Sequence, residues 1–299
     1  MHTRRSLLVL PFALALAMGS TAQNTLKDGT TLVWDKVIAV GADSLRNDSV
    51  NVPAFSVPVH EASAKQVSAL LKTVLPGASF RKQGRLMKAT GVTFAAAGSA
   101  PVDVLARVVQ NKKQRLSTLS LAFLNSGTST PVGNPALSPA VRDLGVQLNK
   151  AVVQQQVDAW TKKLGKAHGK AESAAKSRDK ARKKLNKAQS QVEKNAKERS
   201  KLQNERAIMQ REIDLYNEKW MLGQDPKDLK KLTKARSGIT KNEARMAKLM
   251  ANEAKAQREL SKTSSDLPDV QQEQDAKAAA RNEVQRTVDA LQRKLENIR

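Results

Sequence analysis

The chain has 299 residues, a net charge of +24, an aromatic content of only 3% and no cysteine. The missing cysteine excludes disulfides, thiolate nucleophiles, cysteine metal ligands and a lipid-bearing cysteine at a cleavage site. Few aromatics beside abundant Ala, Lys, Gln, Arg and Glu are what long solvated helices contain, and the positive charge favours anionic partners.

Residues 1–5 form a short basic segment, residues 7–18 an apolar run, and Ser20-Thr21-Ala22 a small-residue cleavage signal before Gln23. In that order the three parts predict a signal peptide over residues 1–22. Thr3-Arg4-Arg5-Ser6-Leu7-Leu8 is also similar to a twin-arginine signal. The apolar run is too short to anchor in a bilayer and no later stretch is longer, so no transmembrane segment is expected after cleavage. A cysteine-free exported chain points to the periplasm or cell envelope of a bacterium.

Residues 23–125 have the pattern of a small α/β domain. Residues 31–40 are rich in β-branched side chains and predict a strand, with a polar loop over 41–51. Phe55, Val57 and Val59 alternate along a strand at 54–59. Ser63-x-x-Gln66 is a capping box, and Val67, Leu70, Leu71, Val74 and Leu75 then form one helical stripe that Pro76-Gly77 stops. Strands at 78–82 and 86–94 follow, joined near Gln83-Gly84. Pro101 opens a second helix with Val104, Leu105, Val108 and Val109 on one face, and a strand at 115–124 points Leu119, Leu121 and Phe123 inward. From residue 54 the order is β-α-β-β-α-β, a ferredoxin-like arrangement, which makes the whole chain α+β. That topology tolerates Pro58 only at a strand end, because proline has no N–H for the ladder.

Residues 126–138 are polar and rich in Gly and Pro, a linker to the remaining segment, 139–299. Ser138 and Pro139 mark a helix start. Counting alternately by three and four from Val157 meets Trp160, Leu164, Leu185, Leu202, Met209, Ile213 and Trp220. A second count from Leu232 meets Ile239, Met246, Leu260, Val284, Val288, Leu291 and Leu295. An apolar spacing that averages 3.5 residues is the seam of a left-handed coiled coil. Between the two counts stands the turn at 223–226, with Gly223 as the left-handed helix terminator, Asp225 as N-cap and Pro226 at the first helical position. The expectation is an antiparallel coiled-coil hairpin with arms of roughly 125 and 110 Å. Its large apolar residues lie at both ends of the seam. The middle holds alanine together with Arg178, Arg199, Arg206, Glu253, Lys277 and Arg281, and a kink or break is expected at 264–268 before Pro268.

Chemistry-bearing residues are sparse. His60-Glu61 begins no zinc-binding H-E-x-x-H, because Ala64 holds the second ligand position, and His168 lies on the alanine-rich helix. No nucleophile elbow or glycine-rich phosphate loop occurs, so neither an enzymatic activity nor a cofactor or metal is expected. Lys176, Lys180, Lys183, Lys184 and Lys187 share one helical face by their spacing. They form a candidate stripe for an anionic envelope polymer or glycolipid; an ordinary solvated face has the same spacing. No aromatics interleave with them, which disfavours nucleic acid.

The expectation is an exported, non-enzymatic envelope protein. A small docking domain carries a coiled-coil spacer or interaction rod, with protein partners and self-association through the coiled coil. Exported, basic, paired helical arms are also similar in composition and helical plan to those of Skp-type chaperones. That resemblance covers the rod alone and implies a periplasmic holdase that grips unfolded outer-membrane proteins.

Overall fold

A computed structural model describes residues 24–47, 50–128 and 130–299, so the predicted signal peptide lies outside the described residues. Two compact units divide the chain. One comprises the described residues up to Lys162 together with 286–299, and the other is Lys163–Gln285. Among the described residues no helix is long and apolar enough to cross a membrane.

The first unit contains six strands: β1 (Gly41–Asn47), β2 (Val50–His60), β3 (Arg81–Gln83), β4 (Leu86–Val92), β5 (Val102–Asn111) and β6 (Leu116–Asn125). They form one sheet in the order β1-β2-β6-β5-β4-β3, every neighbouring pair antiparallel. One small helix, α1 (Ala64–Val74), follows β2. The unit also takes in the start of α2 (Leu137–Gly223) and the end of α3 (Pro226–Glu296).

The α+β class is as expected, but the sheet is not ferredoxin-like. The segment read as a second helix is β5. Val102, Val104 and Ala106 join the main core on one face, while Leu105 joins a smaller cluster with Leu45, Val52, Ala54, Ala122 and Leu124 on the other. A strand apolar on both faces loses its period of two, and Val104, Leu105, Val108 and Val109 then mimic a helical stripe. Residues 31–40 are not a strand either. Ile38 is buried in the core and Trp34 packs edge-on against His60 at 5.6 Å, so this segment docks through side chains rather than a ladder. The outer strand β1 comes instead from the polar residues read as a loop, with Leu45 as its main core contact. The capping box of α1 forms as read, with Ser63 Oγ accepting from Gln66 N and Gln66 Oε1 accepting from Ser63 N.

Pro58 sits within β2 and not at its end. Pairing with β1 stops at Gly41↔Ser56, whereas pairing with β6 continues to His60↔Leu116. The Pro58 carbonyl faces the side that β1 has left and accepts from Asn149 Nδ2 at 3.0 Å. A residue's N–H and C=O lie on one edge of a strand, so the missing N–H faces that side too and β6 loses no bond. Asn149, on α2, also accepts from His60 N at 2.9 Å and so replaces the absent strand. Gly145 is what lets α2 come this near. A Cβ there would stand 2.3 Å from Val57 Cγ2.

Residues 126–138 are less of a free linker than their composition suggests. Val132 N donates to Phe123 O at 2.9 Å, Pro131 bridges to Leu124, and α2 begins at Leu137, ahead of Ser138. In the second unit α2 and α3 pack as a helical hairpin. The turn is where the sequence puts it, but the left-handed residue is Gln224 (φ 51°) and not Gly223. Gln224 N donates to Trp220 O at 2.9 Å to close α2, and Asp225 Oδ1 accepts from Lys227 N at 2.8 Å to cap α3. Pro268 lies inside α3, which runs as helix across it without the expected break.

Candidate functional site

Along the hairpin the less exposed stripe follows the 3-4 count. Val157, Leu202, Leu232, Val288 and Leu291 are buried. Trp160, Leu164, Leu185, Met209, Ile213, Trp220, Ile239, Met246, Leu260, Val284 and Leu295 are half-buried. Among the counted positions Arg206 is exposed. The helices of the second unit are tied by polar contacts at matching distances from the turn. Arg199 Nη1 meets Glu253 Oε2 at 3.2 Å, Arg206 Nη2 meets Glu243 Oε1 at 3.0 Å, and Arg178 Nη1 donates to Gln274 Oε1 at 3.1 Å. Buried Asn242 donates from Nδ2 to the Leu202 carbonyl at 3.1 Å. Polar groups on a helix seam fix register at a cost in stability, because only one alignment satisfies them.

The middle of the seam is built from small and polar groups. Ala171, Ala174, Ala188, Asn195, Glu253, Ala256 and Thr263 are all buried there. Near the turn large side chains stand open, with Met221 74% and Leu222 83% exposed, and Leu229 is also exposed.

The lysine stripe is divided by its neighbours. Lys176 is held by Glu172 at 2.6 Å, one helical turn earlier. Lys180 and Lys183 are exposed on α2. Lys184 and Lys187 join Lys255 of α3 around a groove of about 600 Å³, whose remaining lining includes Gln191, Asn252 and Glu259. Three ammonium groups and one carboxylate on a groove make a net cationic surface suited to an extended anion.

The first unit holds a buried ionic cluster that the sequence does not announce. The Lys294 side chain is fully buried, its Nζ 2.8 Å from Glu61 Oε2 and 2.8 Å from the Thr31 carbonyl. Glu61 also accepts from Thr31 Oγ1 at 2.6 Å, Thr31 N at 3.2 Å and Gln156 Nε2 at 2.9 Å. Burial pushes the Glu61 carboxyl up, but the donors from Lys294, Thr31 and Gln156 outweigh it and hold the group below its ordinary value. Burial lowers the Lys294 ammonium, and Glu61 offsets this only in part. Beside them His60 is pushed down by burial and by the Lys36 charge, and its Nε2 is buried without a hydrogen-bond partner among the described residues. Glu61 adopts the left-handed region (φ 56°), which turns its side chain out of the strand line at the end of β2. Every oxygen and nitrogen of the Glu61–Lys294 pair is directed at another protein group, so the cluster fastens residues 31, 61, 156 and 294 together. It is an anchor and presents no open position for a substrate.

A second basic feature was missed because its residues are scattered in sequence. Lys65, Lys72, Lys82, Arg85 and Arg107 line one groove of about 760 Å³ between α1 and the β3–β5 region. The anchor lay beyond a local reading for the same reason, since Glu61 and Lys294 are 233 residues apart. The Arg199–Glu253 pair did carry a signal, because both are counted seam positions nearly equidistant from the turn. Compared with protein-family models and with curated proteins, the chain matches none.

Proposed function

We propose that this chain is an exported, non-enzymatic cell-envelope protein in which a small docking domain carries a coiled-coil hairpin that spaces or joins partners. The observation that carries the reading is the 3-4 stripe, interrupted among the counted positions at Arg206, together with the ion pairs that cross it. A hairpin stitched at several levels by register-specific pairs behaves as a stiff spacer. The first unit supports a docking role: its ionic centre serves anchoring, and its sheet leaves a cationic groove open. Export rests on the order of basic, apolar and small-residue segments at residues 1–22. N-terminal sequencing of the protein taken from its native host should begin at or near Gln23. An intact Met1 in the mature pool refutes export by this signal.

A second reading is favoured by the groove that holds Lys184, Lys187 and Lys255, namely binding of an anionic polymer or glycolipid by the hairpin. Changing Lys184, Lys187 and Lys255 to Gln leaves helix propensity nearly unchanged. Under this reading, binding to anionic glycolipid vesicles falls and loses most of its salt dependence. Unchanged binding identifies the lysines as a solvated face.

A further inference from the structure

We infer that the first unit binds an extended acidic peptide, which adds as a strand to the open end of β5 inside the basic groove; this specifies the docking role proposed above. Pairing of β4 with β5 ends at Met87↔Ala106, and β4 then turns away into the Gly84-Arg85 hairpin turn. β5 runs on to Asn111, so among the described residues Arg107, Val108, Val109, Gln110 and Asn111 keep β6 on one edge and have no strand on the other. The burial of β5 records this change: every residue from Val102 to Ala106 is buried, and none after it is. Five residues of strand offer about 17 Å of unpaired edge.

The chemistry around that edge selects the occupant. Lys65 and Lys72 come from α1, Lys82 and Arg85 from the β3–β4 hairpin, and among the described residues no acidic one lines the groove. All four are exposed, and none makes an ion pair among the described residues. Arg107 is different, because Asp43 holds its guanidinium at 3.1 Å. Between the cations Phe80, Leu86, Met87, Val108 and Val109 supply apolar surface. Lysines that merely guard an edge against aggregation stand on the strand they guard. Here the free end of β5 carries two valines and an arginine already paired with Asp43, and the four unpaired cations stand on the flanking elements around the edge. An edge gives main-chain hydrogen bonds, alternate side chains find pockets, and surrounding cations require a negatively charged partner. An alternating glutamate–valine segment satisfies all three.

The test uses the full protein and a fluorescent short peptide alternating glutamate and valine, read by anisotropy. The peptide should bind, and affinity should fall as salt shortens the screening length. Replacing Lys65, Lys72, Lys82 and Arg85 together with Gln should weaken binding about tenfold or more while leaving circular dichroism unchanged. Two further peptides carry backbone N-methyl groups on one or the other set of alternate residues. A strand pairs through only one set, so one peptide should lose binding and the other keep it. Equal affinity of the two, whether retained or lost, overturns strand addition, as does undiminished binding to the Gln variant or no binding by the wild-type protein. Each result leaves the spacer role of the hairpin untouched, because none of these residues belongs to α2 or α3.

Discussion

Removing the Glu61 carboxylate should destabilise the first unit more than removing the lysine it holds. In Glu61→Gln the Lys294 ammonium stays fully buried with the Thr31 carbonyl and a neutral amide as its nearest oxygens. Breaking a buried pair so that one charge is stranded costs about 3–5 kcal/mol. In Lys294→Met the carboxylate keeps its donors from Thr31 and Gln156, and the loss should be about 1–3 kcal/mol. The double variant strands no ammonium, so it should be close to Lys294→Met alone, with a coupling as large as the Glu61→Gln loss, about 3–5 kcal/mol. Urea unfolding reports this through Trp34, which stands against His60 beside the cluster, in a background with Trp160 and Trp220 changed to Phe. Single effects that add to within about 0.5 kcal/mol in the double variant would show that the two groups do not act as a pair.

The remaining predictions concern the same unit and the hairpin. Stability should fall in acid as pH drops below about 4.5 and through the lower folded-state value of Glu61, since the unfolded chain takes up that proton first; Glu61→Gln should flatten this part of the profile. Gly145→Ala should cost about 1–3 kcal/mol in the same urea assay, because the new methyl must displace Val57. Asn149→Ala leaves the His60 N–H and the Pro58 carbonyl without their partner and should cost a similar amount, about 1–3 kcal/mol; a change under half of that would mean water replaces the amide fully. Asn242→Leu should raise the thermal midpoint of the hairpin, followed by far-ultraviolet circular dichroism, because an amide on the seam is replaced by apolar surface.

The hairpin was legible because its information is local and repeated. The 3-4 count, Asp225 and Pro226 state the arms and the turn without reference to anything distant. The sheet was harder because its strands are read by what covers them. β5 is apolar on both faces and borrowed a helical pattern, and β1 is polar because most of it faces solvent beside β2. Residues 31–40 have strand composition, but Trp34, Ile38 and Val40 pack on the core while Val33 and Val37 stay exposed, and the Thr31 N–H is given to Glu61. Both cationic grooves and the Glu61–Lys294 anchor are assembled from distant residues. Only the stripe members Lys184 and Lys187 could be named in advance, and their partner Lys255 lies across the hairpin.

A hairpin that acts as a spacer stays closed, and its weakest point is the small, polar middle of the seam. A holdase must part its arms to expose apolar surface, and with alanine at the seam centre opening costs least there. The direct measurement is light scattering from an unfolded outer-membrane protein in the presence of equimolar protein. It is made with and without a short bismaleimide crosslink between Ala188→Cys and Ala256→Cys, which line one groove of the hairpin. The spacer account predicts no suppression of aggregation in either state. Suppression by the free hairpin that the crosslink abolishes would contradict it and establish arms that open to hold a client.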